Sequence, residues 1–261
     1  VPATALTGVN LGVRFRLTTT SSPGPTGQSG SGEVEDYVVN IAAPTTDYGD
    51  FSGFADASQG ANPALRLGAQ LDPEYASTRN STATGDDSTG VDDEDGVTLP
   101  AMTAGQTVTI PVTITNTTGA NAFLSVWIDY NNNGSLADSG EQVAANLTVA
   151  TGAVDSVVSL TVAVPTTAVT GTPLGLRLRL SAPSGVGPTG ANSFAGEVED
   201  HVVTIAAPTT DFGDHSLFAD ASSTRNSSLR LGALTDVEYA PTKNAAATGD
   251  DLTGSDDEDG V

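Results

Sequence analysis

The sequence predicts an all-β chain: tandem immunoglobulin-like antiparallel β-sandwich repeats joined by acidic, mostly irregular, calcium-binding connectors. Three observations carry this. Through residues 100–207 apolar and polar residues alternate with a period of two, the pattern of half-buried antiparallel strands. The chain repeats itself: "GEVEDYVVNIAAPTTDYGD" at 32–50 returns as "GEVEDHVVTIAAPTTDFGD" at 196–214, and "TGDDSTGVDDEDGV" at 84–97 returns as "TGDDLTGSDDEDGV" at 248–261. Between the alternating stretches lie segments rich in Asp, Gly, Ser and Thr with no clear period.

Residues 1–43 match only the last strands of a sandwich, and alone they would expose an apolar sheet face. Residues 44–99 form the first acidic connector. Residues 100–207 read as a complete sandwich. In it Val108, Ile110, Val112 and Ile114 alternate with threonines, and Leu124, Val126, Ile128 and Tyr130 share a face. Val158, Leu160, Val162 and Val164 make another strand. Leu174, Leu176, Leu178 and Leu180 alternate with Arg177 and Arg179, which are expected to point outward, and Val203 and Ile205 lie on a last strand. Residues 208–261 are a second connector, a copy of 44–97. The period is 164 residues with one insertion near Phe194. The chain is expected to be a window cut from a longer tandem array.

A connection as long as 44–99 is either disordered or functional. The repeat favours function. Asp47, Asp50, Asp72, Glu74, Asp86, Asp87, Asp92, Asp93, Glu94 and Asp95 each have an acidic counterpart 164 residues on, among them Asp211, Asp214, Asp250, Asp251, Asp256, Asp257 and Asp259. The net charge is −23, from 32 acids against 9 bases. That excess argues against nucleic acid or anionic membranes as partners and for cations. Two carboxylates ~7 Å apart repel by roughly 0.6 kcal/mol in water and several-fold more near a protein surface. One Ca²⁺ reverses that sign, because it gathers six to eight oxygens. A merely solvated acidic run is the competing reading. There is no cysteine, hence no disulfide and no thiolate metal site. No apolar run is long enough to span a membrane.

"WIDYNNNGSLADSGE" at 127–141 enters from a strand. Asp129, Asn131 and Asn133 stand at alternate positions before Gly134, the front half of an EF-hand-type loop, and Ser135 would offer its carbonyl. The twelfth position is Gly140, so Glu141 at thirteen or Asp138 must close the site. An Asn-Gly hairpin turn is the alternative.

"WIDYNNNG" followed by "GE", then "LRLRLS", then "GEVEDHVVTI" resembles the GEVED domain, a β-sandwich module of large secreted and surface proteins of bacteria. The flanking acidic segments resemble spacers found beside such modules. The resemblance implies an extracellular, calcium-stabilised adhesive or structural repeat. This sequence departs from it at His201, where the other copy has Tyr37, and at Asn133, where the family often has Asp. Within the motif, Glu197, Glu199 and Asp200 either bind metal or pair with Arg177 and Arg179 across the strands.

No catalytic constellation stands out. The two histidines, His201 and His215, do not recur in the other copy, where Tyr37 and Phe51 stand, and no enzyme is expected. The expected function is a structural repeat of an extracellular bacterial fibre, stalk or surface layer, made rigid by several Ca²⁺ per repeat. Its expected partners are copies of itself, with glycans as a further class. The alternative is an adhesin or carbohydrate-binding module with its ligand site elsewhere. Sequons at Asn80, Asn116, Asn146 and Asn226 permit glycosylation in a secreted protein.

Overall fold

Alternation and β-branching decide the architecture. The computed structural model describes residues 5–85, 91–249 and 257–261, and among them every regular element is a strand. In chain order these are β1 (Asn10–Thr18), β2 (Gly32–Asn40), β3 (Thr46–Tyr48), β4 (Ala57–Ala61), β5 (Leu65–Leu67), β6 (Met102–Thr103) and β7 (Thr107–Asn116). They continue as β8 (Ala122–Ile128), β9 (Gln142–Val149), β10 (Ala153–Ala163), β11 (Pro173–Ser181), β12 (Gly190–Ala206), β13 (Thr210–Phe212) and β14 (Ser222–Thr224).

Two sheets face each other. One runs β3-β4-β12-β11-β8-β9, with β6 beside the end of β12, and the other runs β10-β7-β5. Ile110, Val112 and Ile114 of β7 meet Leu124, Leu174, Leu178, Leu180 and Ile205 in one core, each at most 1% exposed. Among the described residues no helix is long and apolar enough to cross a membrane.

The described residues of 44–99 are mostly irregular, as expected, but three short strands among them join the sheets. β4 runs parallel to β12, with Ala57 opposite Gly190 and Ala61 opposite Gly196. β5 pairs with β7, and Leu65 and Leu67 are fully buried in the core. Strands of three to five residues are too short for a period of two to show. The same docking corrects Arg177 and Arg179: expected outward, they are 0% and 1% exposed, because the connector covers their face. Strand β9 gave no clear alternation and was not anticipated.

The two partial copies keep local geometry without this packing. In β1–β2, Arg14 stands opposite Asp36, as Arg177 stands opposite Asp200 in β11–β12. Phe15 is 60% and Leu17 74% exposed, where their counterparts Leu178 and Leu180 are buried. Likewise β13–β14 repeats the pairing of β3–β4, while Leu229 and Leu231 are 81% and 79% exposed.

Candidate metal centres

The strand 196–200 has a different use for each side chain. Gly196 is required by close approach: a Cβ there would lie 1.9 Å from the carbonyl oxygen of Leu180. Asp200 takes both Nε and Nη2 of Arg177 at 2.7 Å and accepts the N–H of Phe51 at 3.0 Å. The Arg177 Nη1 donates to the carbonyls of Ala55 and Pro188, both at 2.9 Å. The Arg179 Nη2 donates to the Ser58 carbonyl and to Gln59 Oε1, both at 2.8 Å. Glu199 accepts the N–H of Gly96 at 2.8 Å and faces His201 Nε2 at 3.1 Å. Of the two alternatives, Asp200 thus follows the arginine pairing and Glu197 does not.

Glu197 is fully buried with Asp47 and Asp93, at 1% and 4% exposure. The three carboxylates offer oxygens all within 4.8 Å of one another. Asp47 also accepts the Val198 N–H at 2.6 Å, Asp93 accepts the Asp72 N–H at 2.7 Å, and Glu197 Oε2 accepts the Leu67 N–H. Glu197 Oε1 is buried without a hydrogen-bond partner. Burial, then the charges of Asp47 and Glu199, push the Glu197 carboxyl well above the usual range. Burial, then Asp93 and Glu74, do the same to Asp47.

This donor set fits a hard cation. It is all oxygen, and two oxygens each ~2.4 Å from one Ca²⁺ lie at most about 4.8 Å apart. A buried, unpartnered carboxylate oxygen costs free energy that an ion would recover.

The loop between β8 and β9 gathers a second set. Asp129 Oδ1 accepts the Asn133 N–H at 3.1 Å and Oδ2 the Gly134 N–H at 2.8 Å. Asn132 and Gly134 turn with φ of 56° and 79°. The amides of Asn131 and Asn133 both donate to Asp138 Oδ2, at 2.9 and 2.7 Å. Glu141, 2% exposed, has neither oxygen in a geometrically sound hydrogen bond. Burial first, then the charge of Asp129, raise its pKa. The Ser135 hydroxyl accepts the Ala137 N–H at 3.3 Å. So Asp129, Asn131, Asn133, Asp138 and Glu141 are brought together around the turn.

Other acids build the connector itself. Asp50 Oδ2 accepts the Gly85 N–H and Asp95 Oδ1 the Ala69 N–H. The second connector repeats this: Asp214 Oδ2 accepts the Gly249 N–H, and Asp259 the Ala233 N–H. Asp257 accepts the Asp236 N–H, as Asp93 does that of Asp72. Asp211, the counterpart of Asp47, is half-buried, and burial followed by the Asp236 charge raises its pKa. Asp92 is exposed and Glu94 half-buried. Asp86, Asp87, Asp250, Asp251 and Asp256 lie outside the described residues. Of the sequons, Asn116 is fully buried, its amide donating to the Ala120 and Val149 carbonyls. It is therefore not a glycan site.

These geometries can be set beside known proteins. Residues 123–204 match the family model of the GEVED domain. That stretch runs from β8 through most of β12, so the match holds both the EF-hand-like loop and the GEVED strand. The strands that the connector adds, β3, β4 and β5, lie outside the GEVED match, as does β7. No curated protein matches the chain.

Proposed function

We propose that this chain is a structural repeat of an extracellular fibre, stalk or surface layer, with tandem immunoglobulin-like sandwiches made rigid by Ca²⁺. The observation that carries the reading is the position of the buried carboxylate triad. Asp47 and Asp93 come from the connector and Glu197 from the sandwich, so one ion would clip the two together. Without the ion, three buried carboxylates repel at that junction, and the connector is held by hydrogen bonds, by Leu65 and Leu67 in the core and by Phe54 against Trp127 and Leu136. Filling a site to about a hundred times its Kd adds about 2.7 kcal/mol. The clip thus turns a hinge between sandwiches into a stiff joint. The second site, around Asp129 and Glu141, would order the β8–β9 turn beside it. The charge of −23 suits a surface that remains soluble at high local concentration.

The rival reading, a carbohydrate-binding module, receives no comparable support. The single tryptophan, Trp127, is 2% exposed and packed with Phe54 and Leu136, so it offers no platform for a sugar.

Limited proteolysis of the chain with calcium and with chelator tests the proposal. Residues 44–99 should be cut readily only in chelator. Equal resistance in both conditions would remove the calcium clip.

A further inference from the structure

The first connector and the β8–β9 loop share a small core of their own. Phe54 of the connector, Trp127 near the end of β8 and Leu136 of the loop form a cluster separate from the main core, each at most 4% exposed. Phe51 packs on its edge and meets Phe54 edge to face, with ring centroids 5.0 Å apart. Leu136 stands between Asn133 and Asp138, inside the stretch that gathers the second set of oxygens. Its place therefore depends on the turn that Asp129 organises.

Backbone contacts join the same two segments. A Cβ on Gly134, in the turn of the loop, would lie 2.9 Å from the Gly53 carbonyl oxygen. Strand β11 is bare at Gly175, where a Cβ would come within 2.2 Å of the Phe54 ring and 2.6 Å of the Phe51 ring. The Gly175 carbonyl also accepts the Asp129 N–H at 3.0 Å. One residue of β11 thus seats the connector's phenyl rings and fixes the first residue of the loop.

From Phe54 the contacts run on to the carboxylate triad. The Arg177 guanidinium lies 5.1 Å from the centre of the Phe54 ring and binds Asp200, which accepts the Phe51 N–H. Asp200 and Glu197 share β12. Gly49 is packed so closely on the ion pair that a Cβ there would meet Asp200 Oδ2 at 2.6 Å and Arg177 Nη2 at 2.9 Å. Residues 47–54 therefore form one strip, with Asp47 in the triad at one end and Phe54 against the loop at the other.

We propose that the two cation sites are coupled: an ion in the Asp129–Glu141 loop favours the ion at Asp47, Asp93 and Glu197, and the seating of Phe54 on Leu136 and Trp127 is the link. This is a regulation of the calcium clip and rests on that reading. An ion in the loop draws the Asp129 and Glu141 carboxylates together and fixes the turn, and with it the place of Leu136. A fixed seat lowers the cost of docking the strip 47–54. Docking in turn completes the triad, which takes two carboxylates from the connector and one from β12. The element with two states is the strip, docked or undocked, and both ions favour the docked state. Linkage makes the effect reciprocal: the factor by which the loop ion strengthens the clip is the factor by which the clip ion strengthens the loop. A unit coupled in this way stiffens over a narrower range of calcium concentration than two independent sites would give.

Terbium, a hard ion that takes oxygen ligands as calcium does, tests the link in the full chain. Its luminescence is excited through Trp127, the single tryptophan, two residues from Asp129. The part of the signal that Glu141→Gln removes belongs to the loop. Glu197→Gln, which alters the clip alone, should weaken terbium binding at the loop by roughly tenfold. Phe54→Ala should do the same, and adding Glu197→Gln to it should change nothing more. Phe54 lies outside the main core, so the sandwich that carries the loop remains. Unchanged loop affinity in Glu197→Gln overturns the coupling, as does a signal that Glu141→Gln leaves intact. A further tenfold loss in the double variant overturns the role of Phe54. Calcium-dependent proteolytic protection of 44–99 in the wild type is read alongside. Its absence removes the clip and the coupling together. Protection with a loop indifferent to Glu197→Gln leaves the clip standing and removes the coupling alone.

Discussion

Arg177 and Asp200 form a bidentate pair with both side chains fully buried, whereas the same pair one repeat earlier, Arg14 and Asp36, is exposed. The register and bond lengths agree in the two copies. The difference is the connector, whose Gly49–Ala55 segment lies over the second pair. A surface ion pair has become an interior one by the docking of a segment more than a hundred residues away in sequence.

The pair therefore answers mutation differently in its two settings. Arg177→Met leaves Asp200 buried and uncompensated, and should cost roughly 3–5 kcal/mol. Arg177→Met with Asp200→Leu should recover most of that loss. Arg14→Met should leave the main unfolding transition unmoved. Urea denaturation followed by Trp127 fluorescence measures all three, and equal effects at positions 14 and 177 would contradict the burial.

Gly196→Ala should open the β11–β12 ladder, because its Cβ would lie 1.9 Å from the Leu180 carbonyl oxygen. Overpacking of this kind costs roughly 1–3 kcal/mol. Faster amide exchange at Val198 is the expected signature, together with loss of calcium protection in 44–99. An unchanged exchange pattern would show that the backbone accommodates the methyl group.

The pH dependence follows from raised carboxyl pKa values. Glu197, Asp47 and Glu141 all shift upward on folding, with burial as the first cause. Such groups contribute stability that is fully present below their unfolded pKa, about 4, and is lost as pH rises through their folded values. In EDTA the melting temperature should therefore fall as pH rises above about 4, the unfolded carboxyl value. Saturating calcium should flatten that slope. A slope identical in both conditions would separate these carboxylates from metal binding.

Glu141→Gln isolates the loop site. Because burial is the first cause that raises the Glu141 pKa, the neutral amide should be tolerated or stabilising in EDTA. In calcium it should reduce the stability gained and deprotect the 129–141 turn. Thermal unfolding in the two buffers gives both signs, and a loss in EDTA equal to that in calcium would assign Glu141 a purely structural role.

Much of this was legible in the residues. The alternation at 108–114 and 174–180 marks β7 and β11 directly, and the loop spacing at 129–133 picks out side chains that do converge. The repeat pointed to Asp47 and Asp93. What periodicity cannot show is packing between segments far apart in the chain. Leu65 and Leu67 sit in a three-residue strand, so their repetition as "LRLG" carried the signal and alternation did not. Arg177 and Arg179 alternate with core leucines and so read as solvent-facing, although a second layer covers them. Glu197 was legible only as an acid in a repeated motif, because its partners lie more than a hundred residues upstream.

Calorimetric titration of calcium into the wild-type chain and into Glu197→Gln tests the central claim most directly. The account predicts at least one site that is lost in the variant, together with the calcium-dependent rise in melting temperature. Absence of calcium binding to the wild type, or identical binding by Glu197→Gln, would contradict it.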